Sequence, residues 1–144
     1  MKKVILGLIA LMAAGVAGSL LIQLIPYGHN HTNPPVVQEP NWDSPRTREL
    51  AKRACFDCHS NESTWPWYSN IAPVSWLVQH DVEEGRSALT FSDWRVSRRT
   101  EELAEIVLEG EMPPATYLIM HPQAKLSTNE KQELASGLMA TASR

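Results

Sequence analysis

Residues 4 to 25, VILGLIALMAAGVAGSLLIQLI, are apolar with Gln23 as the one strongly polar side chain, and no charge interrupts them. At about 1.5 Å per residue a helix of this length reaches roughly 33 Å, enough to cross a hydrocarbon layer of about 30 Å. A cleaved export signal is the alternative, with plausible cleavage points among Ala14, Gly15, Ala17, Gly18 and Ser19. Signal peptides have apolar runs of roughly 7 to 15 residues, however, and here Leu20 to Ile25 carry the run past those small residues. An uncleaved anchor is therefore the expectation. On either reading the remainder is exported, because Lys2 and Lys3 hold the N-terminus on the cytoplasmic side.

Beyond the anchor the apolar positions follow helical spacing. Residues 26 to 45, PYGHNHTNPPVVQEPNWDSP, hold five of the ten prolines, show neither helical nor strand period, and predict an extended tether. From Ser44, a capping residue before Pro45, the spacing of Leu50, Ala51, Ala54, Cys55 and Cys58 predicts one helix running into CFDCH. Residues 73 to 84 predict a second helix and residues 87 to 94 a connection. A third helix spans residues 100 to 110, with Leu103, Ile106 and Val107 inward and Gly110 as its stop. Residues 111 to 126 hold Pro113, Pro114 and Pro122 and exclude a regular helix. Ser127-Thr128-Asn129-Glu130 reads as a capping box opening a last helix through Leu134 and Leu138. No stretch alternates with period two, so the exported part is expected to be all-α.

Charge narrows the partners. The chain carries a formal −3, and residues 26 to 144 hold 11 basic against 16 acidic side chains, which argues against nucleic acid. With 17 apolar side chains spent in residues 4 to 25, the exported part has a thin core of its own. Domains of this size with so little to bury need a disulfide, a metal or a cofactor.

The stretch CFDCHSNESTWPWYSN, residues 55 to 70, offers the means. On one helical turn Cys55 and Cys58 project to the same side, so both thiols can add to the two vinyl groups of one haem while His59 presents its imidazole to the iron. Covalent haem attachment also belongs to exported proteins. A thioredoxin-like dithiol needs its Cys-x-x-Cys at the start of a helix in a βαβ setting, which is missing here. A structural zinc site needs four ligands, and only two cysteines exist. A Cys55–Cys58 disulfide closes too short a loop to stabilise much. Trp65, Trp67 and Tyr68 are candidate walls of the haem pocket or ordinary core aromatics, and a carbonyl near Pro73 is a candidate acceptor for the Nδ1–H of His59.

For the second axial position the candidates are Met112, Met120, His80 and His121. Met112 leads, because Pro113 holds it extended on a stiff loop just after Gly110. Either histidine would give a bis-histidine iron of lower potential, whereas a thioether favours the ferrous state. His29 and His31 lie in the tether and read as solvated. Arg95, Arg98 and Arg99 form the dense basic cluster of the exported part, a solvated helix entrance or a partner for propionates.

The stretch from CFDCH to Trp94, together with GEMPPATYLIMHPQAKLS, resembles a family of small bacterial haem-binding domains, membrane-anchored or periplasmic, with one c-type site; the similarity covers roughly residues 44 to 142. The Met-Pro followed by Leu-Ser-x-x-Glu is also similar to class I c-type cytochromes. The resemblance implies a small cytochrome c-like helical domain around one covalent haem c, held by Cys55 and Cys58, with His59 proximal and, by analogy with class I cytochromes, Met112 distal. The insertion YLIMHPQAK departs from the class I pattern and brings Met120 and His121 toward the same edge.

The expectation is thus an N-terminal transmembrane helix over residues 1 to 25, a Pro-rich tether over 26 to 44 and a haem-binding domain over 45 to 144. Its function would be electron transfer, without bond chemistry, between redox partner proteins at the periplasmic face of the inner membrane. A haem-based ligand-binding or sensing module is the alternative.

Overall fold

The computed structural model describes residues 1–94 and 100–144. Its helices are α1 (Lys2–Ile22), α2 (Pro45–Ala54), α3 (Phe56–His59), α4 (Val74–Ala88), α5 (Thr100–Glu109), α6 (Ala115–Met120) and α7 (Thr128–Ala142), with short 3-10 turns at Trp67–Asn70 and Pro122–Ala124. Among the described residues no strand forms, and the fold is all-α as the spacing predicts. Arg95, Arg98 and Arg99, the basic cluster, lie outside the described residues. The chain divides into two units, one of Met1–Thr32 with Trp65–Asp81, the other of Asn33–Thr64 with Val82–Arg144.

In the first unit α1 is long and apolar enough to cross a membrane, and none of its residues is buried. Gln23, just past its end, accepts from the backbone N–H of Ala72 at 2.9 Å and donates to the Ala72 carbonyl at 3.0 Å.

In the second unit the helix starts follow their predicted chemistry. Ser44 accepts from the Thr47 N–H at 3.2 Å with Pro45 at the first helical position, and α7 opens with the complete Ser127–Glu130 capping box. The prolines of residues 111 to 126 act differently from expectation. Pro114 precedes α6 and Pro122 follows it, so a helix of six residues fits between them. Proline is tolerated at a helix boundary, where its missing N–H costs nothing.

The core joins Leu50, Ala51 and Ala54 of α2, Phe56 of α3, Val107 of α5, and Leu134 and Leu138 of α7 to Phe91, Trp94 and Leu126. Both α5 and α2 pack against α7. An aromatic chain runs through this core: Phe91 stacks on Phe56 with centroids 5.4 Å apart and on Trp94 at 5.8 Å, and Trp42 meets Phe91 at 5.3 Å.

Trp42 marks a correction to the tether. Its second half, from Asn33, is part of this unit: the N–H groups of Val37 and Gln38 donate to the Ser92 carbonyl at 2.8 and 3.0 Å, and the Trp94 N–H donates to the Gln38 carbonyl at 2.9 Å. Glu39 accepts two bonds from Arg48 at 2.7 Å and one from the Trp42 indole at 3.0 Å, and this pairing holds its carboxyl below the ordinary range. A sequence without period still pairs its backbone when one large aromatic ring is available to pin it.

Two outcomes test this architecture. Trp42→Ala is expected to lower unfolding free energy by about 3 kcal/mol in denaturant titrations, as for other large aromatic truncations. Val36→Ala, on an exposed neighbour, should change it little. The Glu130 carboxylate, which accepts from Ser127 and Arg53, is lowered from 4.5 to about 2. Its contribution to stability is present above the unfolded value and lost as pH falls from 4.5 toward about 2, so Glu130→Gln should flatten the acid limb of the melting profile across that window.

Candidate functional site

Cys55 sits in a break between α2 and α3, with φ −127° and ψ −31°. The single helix predicted to carry CFDCH is therefore two. The Cys55 N–H still donates to Ala51 at 2.8 Å, completing α2, while the Cys55 carbonyl accepts from the N–H groups of Cys58 at 3.2 Å and His59 at 2.9 Å, starting the one-turn α3. Cys55 and His59 then line an apolar cavity while Phe56, between them, points into the core.

That cavity, of about 200 Å³, lies within the second unit. Ala54, Leu89, Phe91, Leu103, Ile106, Val107 and Leu138 form apolar walls, with Met112 among the lining residues and Glu102 as a charged one.

The His59 ring is held from behind. Its Nδ1 lies 2.9 Å from the Gly85 carbonyl and 3.1 Å from that of Leu89. Two carbonyl acceptors require Nδ1 to carry the proton, which leaves the Nε2 lone pair for a metal. Burial pushes His59 below its ordinary value, against the raising effect of these two bonds, and keeps the ring neutral. The acceptors stand at the C-terminal end of α4, whose carbonyls carry partial negative charge; the Gly85 carbonyl also accepts from the Leu89 N–H at 3.0 Å, and Leu89 itself follows the last helical residue. The carbonyl expected near Pro73 is not the acceptor; Pro73 precedes α4 and belongs to the other unit.

The same contact requires glycine at 85. A Cβ there would stand 2.5 Å from the Cys58 carbonyl oxygen and 2.9 Å from its carbon, both backbone atoms that cannot swing aside. α4 thus approaches α3 backbone to backbone. Arg86, the next residue, donates to the Ser60 carbonyl at 2.8 Å, to Asn33 at 2.9 Å and to Ser63 at 3.0 Å, fixing the turn after His59. Asp57 accepts from the Tyr117 hydroxyl at 2.6 Å and the Thr64 N–H at 2.9 Å.

Of the four candidates for the second axial position, Met112 is the one among the described lining residues; its side chain is partly exposed. His121 stacks on Tyr117 with centroids 4.0 Å apart, Met120 is exposed, and His80 is exposed on the part of α4 that belongs to the first unit. Trp65, Trp67 and Tyr68 also fall in the first unit and are not among the lining residues. Trp65 stacks on His31 at 4.5 Å and Trp67 meets Tyr68 edge-on. The pocket walls come in their place from α5 and α7, with Ala54, Leu89 and Phe91. Cys58 is likewise not among the lining residues; its backbone lies against Gly85.

The other readings of the two cysteines lose ground. Burial and the neighbouring Cys58 push the Cys55 thiol up to about 12, the opposite of an activated thiolate. Among the described residues no three His, Cys, Asp or Glu side chains gather as a metal cluster.

Apolar walls, an imidazole with one nitrogen already committed, a thiol and a thioether on one cavity fit a haem. A family model described as a haem-binding domain matches residues 17–140. The chain belongs to this haem-binding domain family. No curated protein and no solved structure matches it.

For this haem-binding domain Gly85→Ala is expected to reduce the haem held per folded chain roughly tenfold, the scale of losing a bond behind a ligating histidine. The ratio of haem absorbance to protein checks it, with Ser87→Ala, two positions on and exposed, expected to stay at the parent ratio.

Proposed function

We propose that this haem-binding domain is a membrane-anchored, periplasmic monohaem c-type cytochrome that transfers electrons. The observation that carries the proposal is the His59 ring, its Nδ1 bonded to the Gly85 and Leu89 carbonyls, on the same apolar cavity as Cys55 and Met112. Cys55 and Cys58 hold one haem covalently, as the Cys-x-x-Cys-His spacing requires. His59 through Nε2 and Met112 through its sulfur would hold the iron, in keeping with the class I likeness of the Met-Pro segment. When bound, the haem supplies an iron that accepts and returns one electron.

The chain's own residues set how it does so. The carbonyls of α4 orient His59, while the thioether favours the reduced iron and the apolar walls exclude water; these last two give a comparatively high potential. In this reading the protein moves electrons without bond chemistry, and its partners are redox proteins. α1 is the anchor in this reading, long and apolar enough to span.

The ferric protein is expected to show the far-red sulfur-to-iron band. Met112→Ala should abolish it and Met120→Ala should keep it; a band unchanged by Met112→Ala would overturn the ligand assignment. High-spin spectra with rapid CO binding by the untreated ferrous protein would instead assign a ligand-sensing module. Haem staining should survive denaturing electrophoresis in the parent and vanish in the Cys55→Ser, Cys58→Ser double variant.

A further inference from the structure

From Ser63 to Gln79 the chain carries no Asp, Glu, Lys, Arg or His, a second charge-free stretch after that of residues 4 to 28. It includes Trp65, Trp67, Tyr68 and Trp76. The candidate haem cavity uses none of these residues.

In the first unit this stretch is fixed to the end of α1. The paired bonds between Gln23 and the Ala72 backbone form one tie. His31 forms a second, stacked on Trp65 and bonded through Nε2 to the Ser69 carbonyl at 3.0 Å. Gly28, with φ +85°, forms a third: a Cβ there would stand 2.7 Å from the Ser75 carbonyl carbon, so the chain leaving α1 runs directly against the start of α4. Residues 65 to 75 therefore stand level with the end of the apolar helix. Four apolar side chains of this segment and the turn after it are exposed: Trp67 is 72% exposed, Leu77 55%, Ile71 46% and Val74 43%. Val74 and Leu77, three apart on α4, share a face.

We propose that Trp67, Ile71, Val74 and Leu77 form a second membrane contact, seated in the headgroup region of the bilayer beside the end of α1. The inference rests on α1 spanning the membrane. Given that, a bilayer surface is already present where Gln23 holds Ala72. A charge-free, aromatic-rich patch is the composition that settles at such a boundary, where an indole has apolar surface to bury and a polar edge to keep wet. Left in water, contiguous apolar exposure of this kind is disfavoured and marks an interaction site. A partner protein would satisfy the same side chains, but the ties to the anchor's end favour lipid, since they present the patch at the depth where an interfacial element rests.

Photo-crosslinking of the full-length, haem-loaded protein in nanodiscs of phosphatidylethanolamine and phosphatidylglycerol tests it. Benzoylphenylalanine is placed in turn at Trp67, Leu77, Leu11 and Ser136, the last exposed on α7 in the second unit, and lipid adducts are counted by intact mass. The expected result is lipid adducts at positions 67 and 77 at least tenfold above those at 136, with Leu11 positive. Adducts at 11 together with 136-level yields at 67 and 77 overturn the second contact and leave the span intact. Failure at 11 as well overturns both. Chain-to-chain adducts at 67 in place of lipid assign the patch to a second copy and also overturn it.

Discussion

One N–H group organises the second unit. The Nδ1 proton of His59 is shared by two carbonyls at the end of α4, and for those carbonyls to reach the ring, α4 must come close enough to α3 that residue 85 has no room for a side chain. The turn after His59 is then closed from the same helix by Arg86, and the Phe91 N–H donates to the His59 carbonyl at 2.8 Å, which sets Phe91 over Phe56. The histidine shares its cavity with α5 and Met112. Orientation of the ring and assembly of the walls thus depend on one backbone approach.

How far the sequence disclosed this differed by the kind of signal. Features written in neighbouring residues were legible: the Ser44 and Ser127 caps, the stop at Gly110, the inward stripe of Leu103, Ile106 and Val107, and Cys55 with His59 on one site. Features that depend on which distant surfaces meet were not. Trp65, Trp67 and Tyr68 follow the motif directly, and proximity in the chain made them natural walls, yet the chain carries them to the other unit, and α5 and α7 line the cavity from over 40 positions away. The acceptor for His59 was misplaced for the same reason. Proline near position 73 is conspicuous in a sequence, whereas a helix-end carbonyl has no letter of its own.

The tether shows a third kind of miss. Proline-rich, aperiodic sequence predicts an extended tether because periodic burial is the usual sign of packing. Here a single indole does the packing, and Val37, Gln38 and Trp94 complete it through backbone bonds that leave no pattern in side-chain chemistry.

The two positions that a Cys-x-x-Cys-His pattern leaves blank are occupied in this chain by Phe56, which sits in the core, and Asp57, which holds both Tyr117 and the Thr64 backbone. The pattern is usually treated as a detachable cassette. In this protein its interior is a structural joint, with one letter committed inward and the next committed to α6. The motif and the scaffold are therefore not separable modules, and a copy of only its two cysteines and histidine in another helix would arrive without the contacts that aim them.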